Sequence, residues 1–276
     1  MERLSNEFYL IDEEVTPIEE IEIFDDLVGK GVYEVIKVQK NVPMFLEDHL
    51  ERFFKSIDAL GYKCDLTLEN IKNRVDFLID KNPKGDRNLK LIFSETKDGT
   101  FKLLIFFIDT VFPDEKLYKE GIRTVTINLQ REDPNIKIQR NWYKEKVGNF
   151  LKEKEAYEAL LVDDDGFITE GSRSNIFYVI GDEIITTQGD KVLLGITREY
   201  VLKVIEKLGY KLVNKTLNIR DLKDIDGVIM TGTGVGVIPI STIDSYNINS
   251  TNNKIINLIL ENYNKIEDEY INNYEK

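Results

Sequence analysis

The sequence predicts a mixed α+β protein with two domains, and three observations lead to this fold class. The chain of 276 residues is long enough for one large domain or two ordinary ones. Apolar spacings typical of strands and of helices alternate irregularly, without the regular order of a parallel βαβ protein. The polar stretch 110–121 (TVFPDEKLYKEG) contains Pro113 and indicates a boundary. We therefore predict a smaller N-terminal α/β domain over 1–112, a linker over 113–121 and a larger C-terminal domain over 122–276.

Alternating apolar residues predict the strands of the first domain. Residues 32–39 (VYEVIKVQ) alternate as in a half-buried strand, and residues 42–46 have the pattern of its hairpin partner. Two further strands are expected at 89–94 and 101–108, on either side of a turn at 97–99.

Two amphipathic helices are predicted between these strands. Residues 47–60 carry apolar side chains at spacings of three and four, and Gly61 is a suitable stop. Residues 66–79 show a second amphipathic pattern, for which Thr67 is the expected N-cap.

The second domain is predicted to mix strands and helices in a less regular order. An apolar strand at 228–230 leads into a glycine-rich turn, and residues 255–270 form an amphipathic last helix. The other predicted elements, in chain order, are a strand at 122–128, a loop with Pro134, a helix at 142–154, a strand at 158–162, a hairpin over 166–179, a strand at 183–187 and a helix at 197–208.

Composition excludes several classes of partner. Lys and Arg total 37 against 50 Asp and Glu, a formal net charge of −13, which argues against nucleic-acid binding and requires local groups to bind any anion. Neither an apolar run long enough to span a membrane nor a signal-peptide pattern is found, so no membrane partner is expected. One cysteine, Cys64, indicates a reducing cytoplasm, and with the single His49 it argues against a His/Cys metal site.

The stretch GFITEGSRSNIFYV, residues 166–179, places an acid between two apolar strands. Glu170 is followed by the small polar run Gly171 to Asn175. A carboxylate is costly to bury without a partner. Glu170 is therefore either a solvated turn residue or a carboxylate held ionised against a cationic group of a ligand.

The stretch LLGITREYVLKVI, residues 193–205, predicts a helix that begins directly after a turn. Gly195 supplies the turn and Thr197 is a suitable N-cap. Free backbone N–H groups at the start of such a helix form an anion site. The alternative is a plain connection between a strand and a helix.

The stretch IMTGTGVGVIP, residues 229–239, runs from a strand into Gly232, Thr233 and Gly234. Glycines allow the backbone to approach a ligand closely. The pattern is not a dinucleotide fingerprint, because Val237 occupies the place of the third glycine. A tight loop is the alternative.

The stretch EDHLERF, residues 47–53, carries a basic residue one helical turn after an acid. Arg52 either pairs with Asp48 or points at a phosphate, for which its guanidinium is well shaped. His49 lies on the same helix, and an ordinary hydrogen-bonded histidine is expected there.

Taken together, these motifs resemble the class IV aminotransferases, the fold type IV pyridoxal phosphate enzymes. The resemblance rests on GVYEVIKV, HLERF, TEGSRSNIF, LLGITR and a TGT at a strand end, which follow the family's order from about Gly29 to Ile240. The family includes branched-chain aminotransferases, D-amino acid aminotransferases and aminodeoxychorismate lyases. It implies a fold similar to that of the D-amino acid aminotransferases, pyridoxal 5'-phosphate in the cleft between two domains, and a homodimer.

The resemblance implies a catalytic lysine in a motif like NIK, upstream of the TEG glutamate. PNIKIQRN supplies Lys137, whereas Lys144 and Lys146 are predicted to be solvated charges on the helix 142–154. Lys137 is expected to form the Schiff base with the cofactor and then to act as general base in the 1,3-proton transfer.

The other site residues are also implied by the resemblance. Glu170 matches the partner of the pyridine nitrogen, which keeps the ring protonated. The residues expected to hold the cofactor phosphate are Arg52, Ile196, Thr197 and Thr233, and those expected at the substrate are Tyr33, Arg173 and Gly234.

Two positions depart from the family pattern and bear on the substrate. The paired Arg-x-His carboxylate trap of the D-amino acid enzymes is expected near 92–98, where this chain reads IFSETKD. Arg173 stands where many relatives carry serine, as a ligand for the substrate carboxylate or as a surface charge.

The function implied is transfer of an amino group between an amino acid, branched-chain-like or D-, and a 2-oxo acid. A lyase of the aminodeoxychorismate lyase type and a non-catalytic ligand-binding relative are the alternatives.

Overall fold

The structure is a computed structural model that describes residues 7–19 and 23–275. It divides into two compact units. Unit 1 consists of Met1–Val111, Ile136–Arg140 and Glu267–Lys276, and unit 2 of Phe112–Asn135 and Asn141–Ile266.

The division differs in detail from the predicted domains. The segments 136–140 and 267–276 are grouped with unit 1, although they follow the predicted boundary in sequence. Residues 113–121, expected as a linker, contain the helix Glu115–Glu120 and are grouped with unit 2. Backbone pairing explains the first segment, because Ile138 forms a bridge with Val32 of unit 1.

Unit 1 is an antiparallel sheet with two long helices. Its sheet order is β2-β1-β6-β5-β3-β4. The strands are β1 (Phe8–Ile11), β2 (Glu14–Pro17), β3 (Leu27–Gln39), β4 (Val42–Pro43), β5 (Arg87–Thr96) and β6 (Phe101–Ile108), and the helices are α1 (Ile23–Asp26), α2 (Leu46–Ala59) and α3 (Leu68–Lys81).

Of the two hairpins predicted for this part of the chain, that of β5 and β6 is confirmed, and that of β3 is confirmed in part, because β4 ends at Pro43 and Leu46 begins α2. β3 pairs with β4 through Val38 and Pro43, and β5 pairs with β6 along its length. Both predicted helices are present as α2 and α3. Thr67 is the N-cap of α3 and forms a capping box with Asn70, as its hydroxyl accepts from the Asn70 backbone N–H.

Strand alternation explains the core of unit 1. Leu89, Leu91 and Phe93 project from one face of β5 into a cluster that includes Val75 and Leu78 of α3. The opposite face of β5 contributes to a smaller apolar cluster with β1 and β6. The sheet is therefore buried on both faces, which explains why residues 88–94 are all buried.

Unit 2 contains the longer sheet. Its helices are α4 (Glu115–Glu120), α5 (Asn141–Lys154), α6 (Ile196–Leu208) and α7 (Lys254–Asn273), the last of which continues into residues grouped with unit 1. Its strands are β7 (Ile122–Asn128), β8 (Glu158–Val162), β9 (Phe167–Gly171), β10 (Asn175–Ile180), β11 (Glu183–Thr186), β12 (Lys211–Asn214), β13 (Leu217–Asn218), β14 (Gly227–Gly232), β15 (Gly236–Ile243) and β16 (Tyr246–Asn247). Short 3-10 helices lie at Gly189–Lys191, Ile219–Asp224 and Ser250–Asn252.

The sheet of unit 2 is mixed. Its order is β12-β11-β10-β14-β15-β7-β8-β9-β13, and β16 pairs with β15. The pairs β11–β12, β15–β7 and β7–β8 are parallel, and the other pairs are antiparallel. The predicted strands at 122–128 and 158–162 are confirmed as β7 and β8, and the predicted helix at 142–154 as α5.

The predicted hairpin over 166–179 is wrong. β9 pairs with β8 and β13, whereas β10 pairs with β11 and β14. The chain separates the two strands because residues 171–174 form a tight turn of their own, in which the Gly171 N–H donates to the Ser174 carbonyl over 2.8 Å. Consecutive strands of this unit pair instead as β8–β9, β10–β11 and, across the glycine-rich turn, β14–β15.

No helix within residues 7–19 and 23–275 is both long and apolar enough to cross a membrane.

Removal of the Thr67 hydroxyl tests whether this residue stabilises α3 as its N-cap. Thr67→Ala is expected to lower the free energy of unfolding by about 1 kcal/mol, because the Asn70 N–H loses its acceptor. Thr67 is exposed, so little burial is lost with it. Urea denaturation measures the change. Thr67→Ser keeps the hydroxyl and serves as control; equal losses in both variants would contradict the capping role.

Candidate active site

Lys137 is held by the backbone of unit 1. The Tyr33 N–H donates to the Lys137 carbonyl over 3.0 Å, and the Lys137 N–H donates to the Ser56 hydroxyl over 3.4 Å. Its side-chain nitrogen Nζ lies 5.1 Å from the centre of the Tyr33 ring. The segment is thus fixed against both β3 and α2, and the structure brings Lys137 and Tyr33 together. Lys144 and Lys146 are exposed on α5.

Arg52 pairs with a buried acid that the sequence analysis did not single out. Arg52 donates from Nε to Oε1 of Glu34 and from Nη2 to Oε2, each over 2.7 Å. His49 Nδ1 lies 2.8 Å from Oε2 of the same carboxylate. Glu34 is 0% exposed. The sequence did hold a signal: Glu34 occupies an apolar position in the alternation of Val32 and Ile36 on β3.

The Glu34 carboxylate is ionised. Burial is the largest influence on it and opposes the charge, but the positive charges of Arg52 and Lys137 counter that effect. Hydrogen bonds from His49 and Arg52 add to the stabilisation, and together they hold the pKa of Glu34 well below its usual range. An ionised carboxylate only accepts, so His49 must donate from Nδ1.

His49 is neutral in the folded protein. Burial, and with it the positive charges of Arg52 and Lys137, lowers the pKa of His49 below its ordinary value of 6.5, although the hydrogen bond and the charge of Glu34 act to raise it. The sequence analysis expected a hydrogen-bonded histidine, and the structure gives Glu34 of β3 as its partner. This leaves Arg52 and Lys137 as the positive groups around Glu34.

Glu170 is a buried carboxylate of unit 2, and its interpretation as a solvated turn residue is wrong. It lies near the end of β9 and is 2% exposed. Oε2 accepts from the Leu193 N–H over 3.2 Å, and Oε1 forms an ion pair with Nε of Arg131 at 3.0 Å. These two contacts fix the plane of the carboxylate.

Arg131 and Tyr143 complete the surroundings of Glu170, and the sequence analysis missed both roles. Arg131 Nη2 and the Tyr143 hydroxyl each donate to the Ser172 carbonyl, over 2.9 Å and 3.0 Å. Burial raises the pKa of Tyr143 to about 12, so its hydroxyl keeps its proton. No local pattern predicts these contacts, because they join the loop before Lys137, through Arg131, and helix α5, through Tyr143, to the turn after Glu170.

The start of α6 differs from the prediction at one residue. Gly195, not Thr197, is the N-cap, and the helix begins at Ile196. The Asn175 amide explains the glycine: its nitrogen donates to the Leu193 carbonyl over 2.8 Å, and a side-chain carbon at Gly195 would overlap its oxygen. No side chain caps this N-terminus, and Thr197 is buried in the first turn. The backbone N–H groups there suit an anion.

Thr233 and Gly234 lie in the turn between β14 and β15. This turn is next to the segment after Glu170, since a side-chain carbon at Gly232 would lie 3.5 Å from the Arg173 carbonyl. The Thr231 hydroxyl also donates to the Asn175 carbonyl over 3.4 Å. Unit 2 therefore brings Glu170, the start of α6 and the glycine-rich turn together through one set of contacts.

Arg173 is mainly exposed, with 64% of its side chain accessible. Its guanidinium donates to the Tyr157 carbonyl over 3.1 Å and lies 3.7 Å from the carboxylate of Glu158. Glu158 is fully buried and accepts from the hydroxyls of Ser172 and Ser174, over 2.5 Å and 3.0 Å. Arg173 is thus held in one orientation beside the turn that follows Glu170.

Comparison with known proteins identifies the family. The profile of the amino-transferase class IV family matches residues 31–243. The chain belongs to this family. It is 29% identical over 233 residues to a D-alanine aminotransferase of Bacillus licheniformis, covering 80% of this chain and 82% of that protein. It is also 29% identical over 247 residues to a putative branched-chain-amino-acid aminotransferase of Methanocaldococcus jannaschii, covering 83% and 85%.

Solved structures confirm the fold. The branched-chain aminotransferase of Thermoproteus uzoniensis, solved with norvaline, superposes with a TM-score of 0.85 at 24% identity and covers 97% of this chain and 98% of that one. A second branched-chain amino acid aminotransferase, complexed with N-(5'-phosphopyridoxyl)-L-glutamate, superposes with a TM-score of 0.85 at 21% identity and covers 95% and 94%. The resemblance predicted from the sequence is confirmed, and the protein is a class IV aminotransferase, a member of a family of pyridoxal 5'-phosphate enzymes.

The residues of this aminotransferase fit that cofactor. A buried, ionisable carboxylate at Glu170 suits a protonated pyridine nitrogen. The N-terminus of α6, which has no side-chain cap, suits a phosphate. Lys137 supplies a primary amine, and its backbone is held by hydrogen bonds to Tyr33 and to Ser56.

The aminotransferase should lose stability as the pH falls from about 7.5 to about 5.5. The unfolded chain gains a proton at its one histidine near pH 6.5, whereas folded His49, with its lowered pKa, gains that proton only at a lower pH. The unfolded state then binds more protons, so the free energy of unfolding falls, by about 1 kcal/mol over this window. Urea denaturation at both pH values measures it.

His49→Asn is the matched variant, because its amide keeps a donor near the position of Nδ1 but does not titrate. It should retain less than half of the pH dependence. The same pH dependence in both proteins would show that His49 is not its source.

Proposed function

We propose that Lys137, Glu170 and the start of α6 carry out transamination in this protein. One observation supports the proposal most: Oε2 of Glu170 accepts from the Leu193 N–H, two residues before the N-cap Gly195. The residue proposed for the ring nitrogen is thereby joined by one hydrogen bond to the chain that leads into the proposed phosphate-binding helix start. A protein that only bound an anion would need the second of these and not the first.

Glu170 and Lys137 have different tasks in this proposal. When bound, pyridoxal phosphate supplies a ring that withdraws electrons from the α-carbon of the amino acid. Glu170 holds a proton at the ring nitrogen, and the ion pair with Arg131 favours its ionised form. Lys137 Nζ would hold the cofactor covalently until the amine of the substrate takes its place in that bond. The freed amine of Lys137 would then take a proton from the substrate α-carbon and return it as the amino group is transferred.

The phosphate is held by local donors, which a chain with a net charge of −13 requires. We assign this task to the Ile196 N–H and Thr197 at the start of α6, to Thr233 in the turn after β14, and to Arg52. The two bonds from Arg52 to Glu34 use two of the five N–H donors of the guanidinium and fix its plane. The cation is thereby oriented before the phosphate arrives.

Tyr33, Arg173 and Gly234 are assigned to the substrate. Tyr33 lies beside Lys137, and Arg173 is an oriented and accessible cation that suits a substrate carboxylate. Residues 92–98 carry no Arg-x-His pair, so a carboxylate must be bound in another way than in typical D-amino acid enzymes. We propose a branched-chain or D-amino acid as donor and a 2-oxo acid as acceptor.

The assembly and location are part of the same proposal. Class IV aminotransferases are dimeric, which supports a homodimer here. The single cysteine, Cys64, supports a reducing cytoplasm. Sedimentation of the purified protein separates a dimer from a monomer directly.

The role of Lys137 is tested by trapping the cofactor. Borohydride reduction of the purified enzyme should add one cofactor mass to the chain, and Lys137→Ala should abolish this addition. The same variant should lower kcat by at least about a hundredfold, because the general base is lost. Lys144→Ala is the control, since Lys144 is exposed on α5. Loss of trapping in Lys144→Ala instead would overturn the assignment.

The substrate class is tested by pairing L- and D-amino acids with 2-oxoglutarate or pyruvate. We expect turnover with a branched-chain L-amino acid or a D-amino acid, and only when a 2-oxo acid is present. A lyase related to aminodeoxychorismate lyase would release pyruvate without an acceptor. Arg173→Ser should raise KM for the carboxylate substrate about tenfold with a smaller effect on kcat; an unchanged KM would remove Arg173 from the site.

A further inference from the structure

We propose that Tyr270 is a positioning residue for the cofactor phosphate, because its hydroxyl caps the helix that carries Arg52. The inference rests on the proposed phosphate role of Arg52. It concerns the segment 267–275, which is grouped with unit 1 and which no part of the mechanism uses.

Helix α2 has no cap from its own sequence. Its N-cap is Phe45, in the left-handed region at φ 53 and ψ 40, and no side-chain hydrogen bond is made there. Phenylalanine offers no acceptor to the first N–H groups of a helix. These groups need a partner from elsewhere, because Phe45 and Leu46 are both buried.

Tyr270 supplies that partner. Its hydroxyl accepts from the Leu46 N–H over 3.1 Å and donates to Oε2 of Glu47 over 2.6 Å. The ring of Tyr270 packs on that of Phe45, with centres 4.9 Å apart. One phenol therefore satisfies the first N–H group of α2, that of Leu46, and fixes the Glu47 side chain beside it. A serine or aspartate at an N-cap would instead accept from the second or third N–H group.

The segment around Tyr270 is anchored independently. Glu267 forms an ion pair with Lys37 of β3 at 3.1 Å. The Tyr274 hydroxyl donates to Asp76 of α3 over 2.9 Å, and Lys72 lies over the Tyr274 ring. Tyr270 is thus presented to α2 from a fixed position, and Tyr274 makes the same kind of bond to a different helix.

The cap connects to the site along α2. Arg52 lies about two turns from Phe45, a distance of roughly 10 Å along the axis. Its carbonyl accepts from the Ser56 hydroxyl, which in turn accepts from the Lys137 N–H. Fraying or displacement of the first turn would therefore shift the position of Arg52, whose guanidinium is proposed to bind the phosphate.

The experiment compares two phenylalanine variants of the full-length protein. After removal of cofactor, each protein is titrated with pyridoxal 5'-phosphate and, separately, with pyridoxal, which lacks the phosphate. Tyr270→Phe keeps the ring contact and removes the cap. The Kd for pyridoxal phosphate should rise by more than about twofold and by no more than about tenfold, because the lost bond is not made to the cofactor and a whole hydrogen bond is the upper limit of its effect. The Kd for pyridoxal should change by less than about twofold.

Tyr274→Phe is the matched control and should leave both constants within about twofold of the wild type. Equal loss for both ligands in Tyr270→Phe, or the same phosphate-specific loss in Tyr274→Phe, would overturn the proposal. Arg52→Lys tests the foundation, and it should also weaken pyridoxal phosphate selectively. If Arg52→Lys does so and Tyr270→Phe does not, only the positioning role fails. If Arg52→Lys shows no selective loss, the phosphate role of Arg52 itself fails.

Discussion

The burial of Glu170 is the constraint on which the arrangement of unit 2 depends. A carboxylate that is 2% exposed needs donors, and it obtains them from the Leu193 N–H and from Arg131. The first contact fixes the chain just before α6, and the second joins the loop upstream of Lys137 to β9. Arg131 also donates to the Ser172 carbonyl in the turn that follows. The start of α6 and the turn at 171–174 are consequently parts of one structure built around a single charge.

Unit 1 also contains a buried carboxylate that needs donors, Glu34, and its donors are side chains. There two side chains of one helix, His49 and Arg52, converge on a carboxylate from β3. Buried ion pairs are weak sources of stability, since desolvation opposes the attraction, but their geometry is well defined. We interpret both buried acids as groups that fix the orientation of side chains. The donors of Glu170 orient its carboxylate, and the Glu34 carboxylate orients the guanidinium of Arg52.

Local sequence patterns predicted the elements that depend on local physics. Apolar spacing located α2, α3 and most strands, and the Thr67 cap followed from its own sequence neighbours. The pairing of β9 and the partner of Arg52 depend on contacts distant in sequence, and these were not predictable from spacing alone. The start of α6 shows the limit most clearly. A threonine is a better cap than a glycine by propensity, yet the N-cap is Gly195 and the helix begins at Ile196. The Asn175 amide beside Gly195 leaves no room for a side chain at that position. Glu34 differs from these, because the sequence itself marks it: it is an acid at a position of β3 where the alternation calls for an apolar residue.

The single histidine has a practical consequence. Because His49 is the chain's only imidazole, its ring protons would give isolated signals in a magnetic resonance spectrum, assignable without any substitution. Its Nδ1 touches the same carboxylate as Arg52, so the chemical shift of the proton on that nitrogen reports on the Glu34 network. Under the proposed phosphate role of Arg52, loading of the cofactor should change this chemical shift, so that it could be followed in the unmodified enzyme.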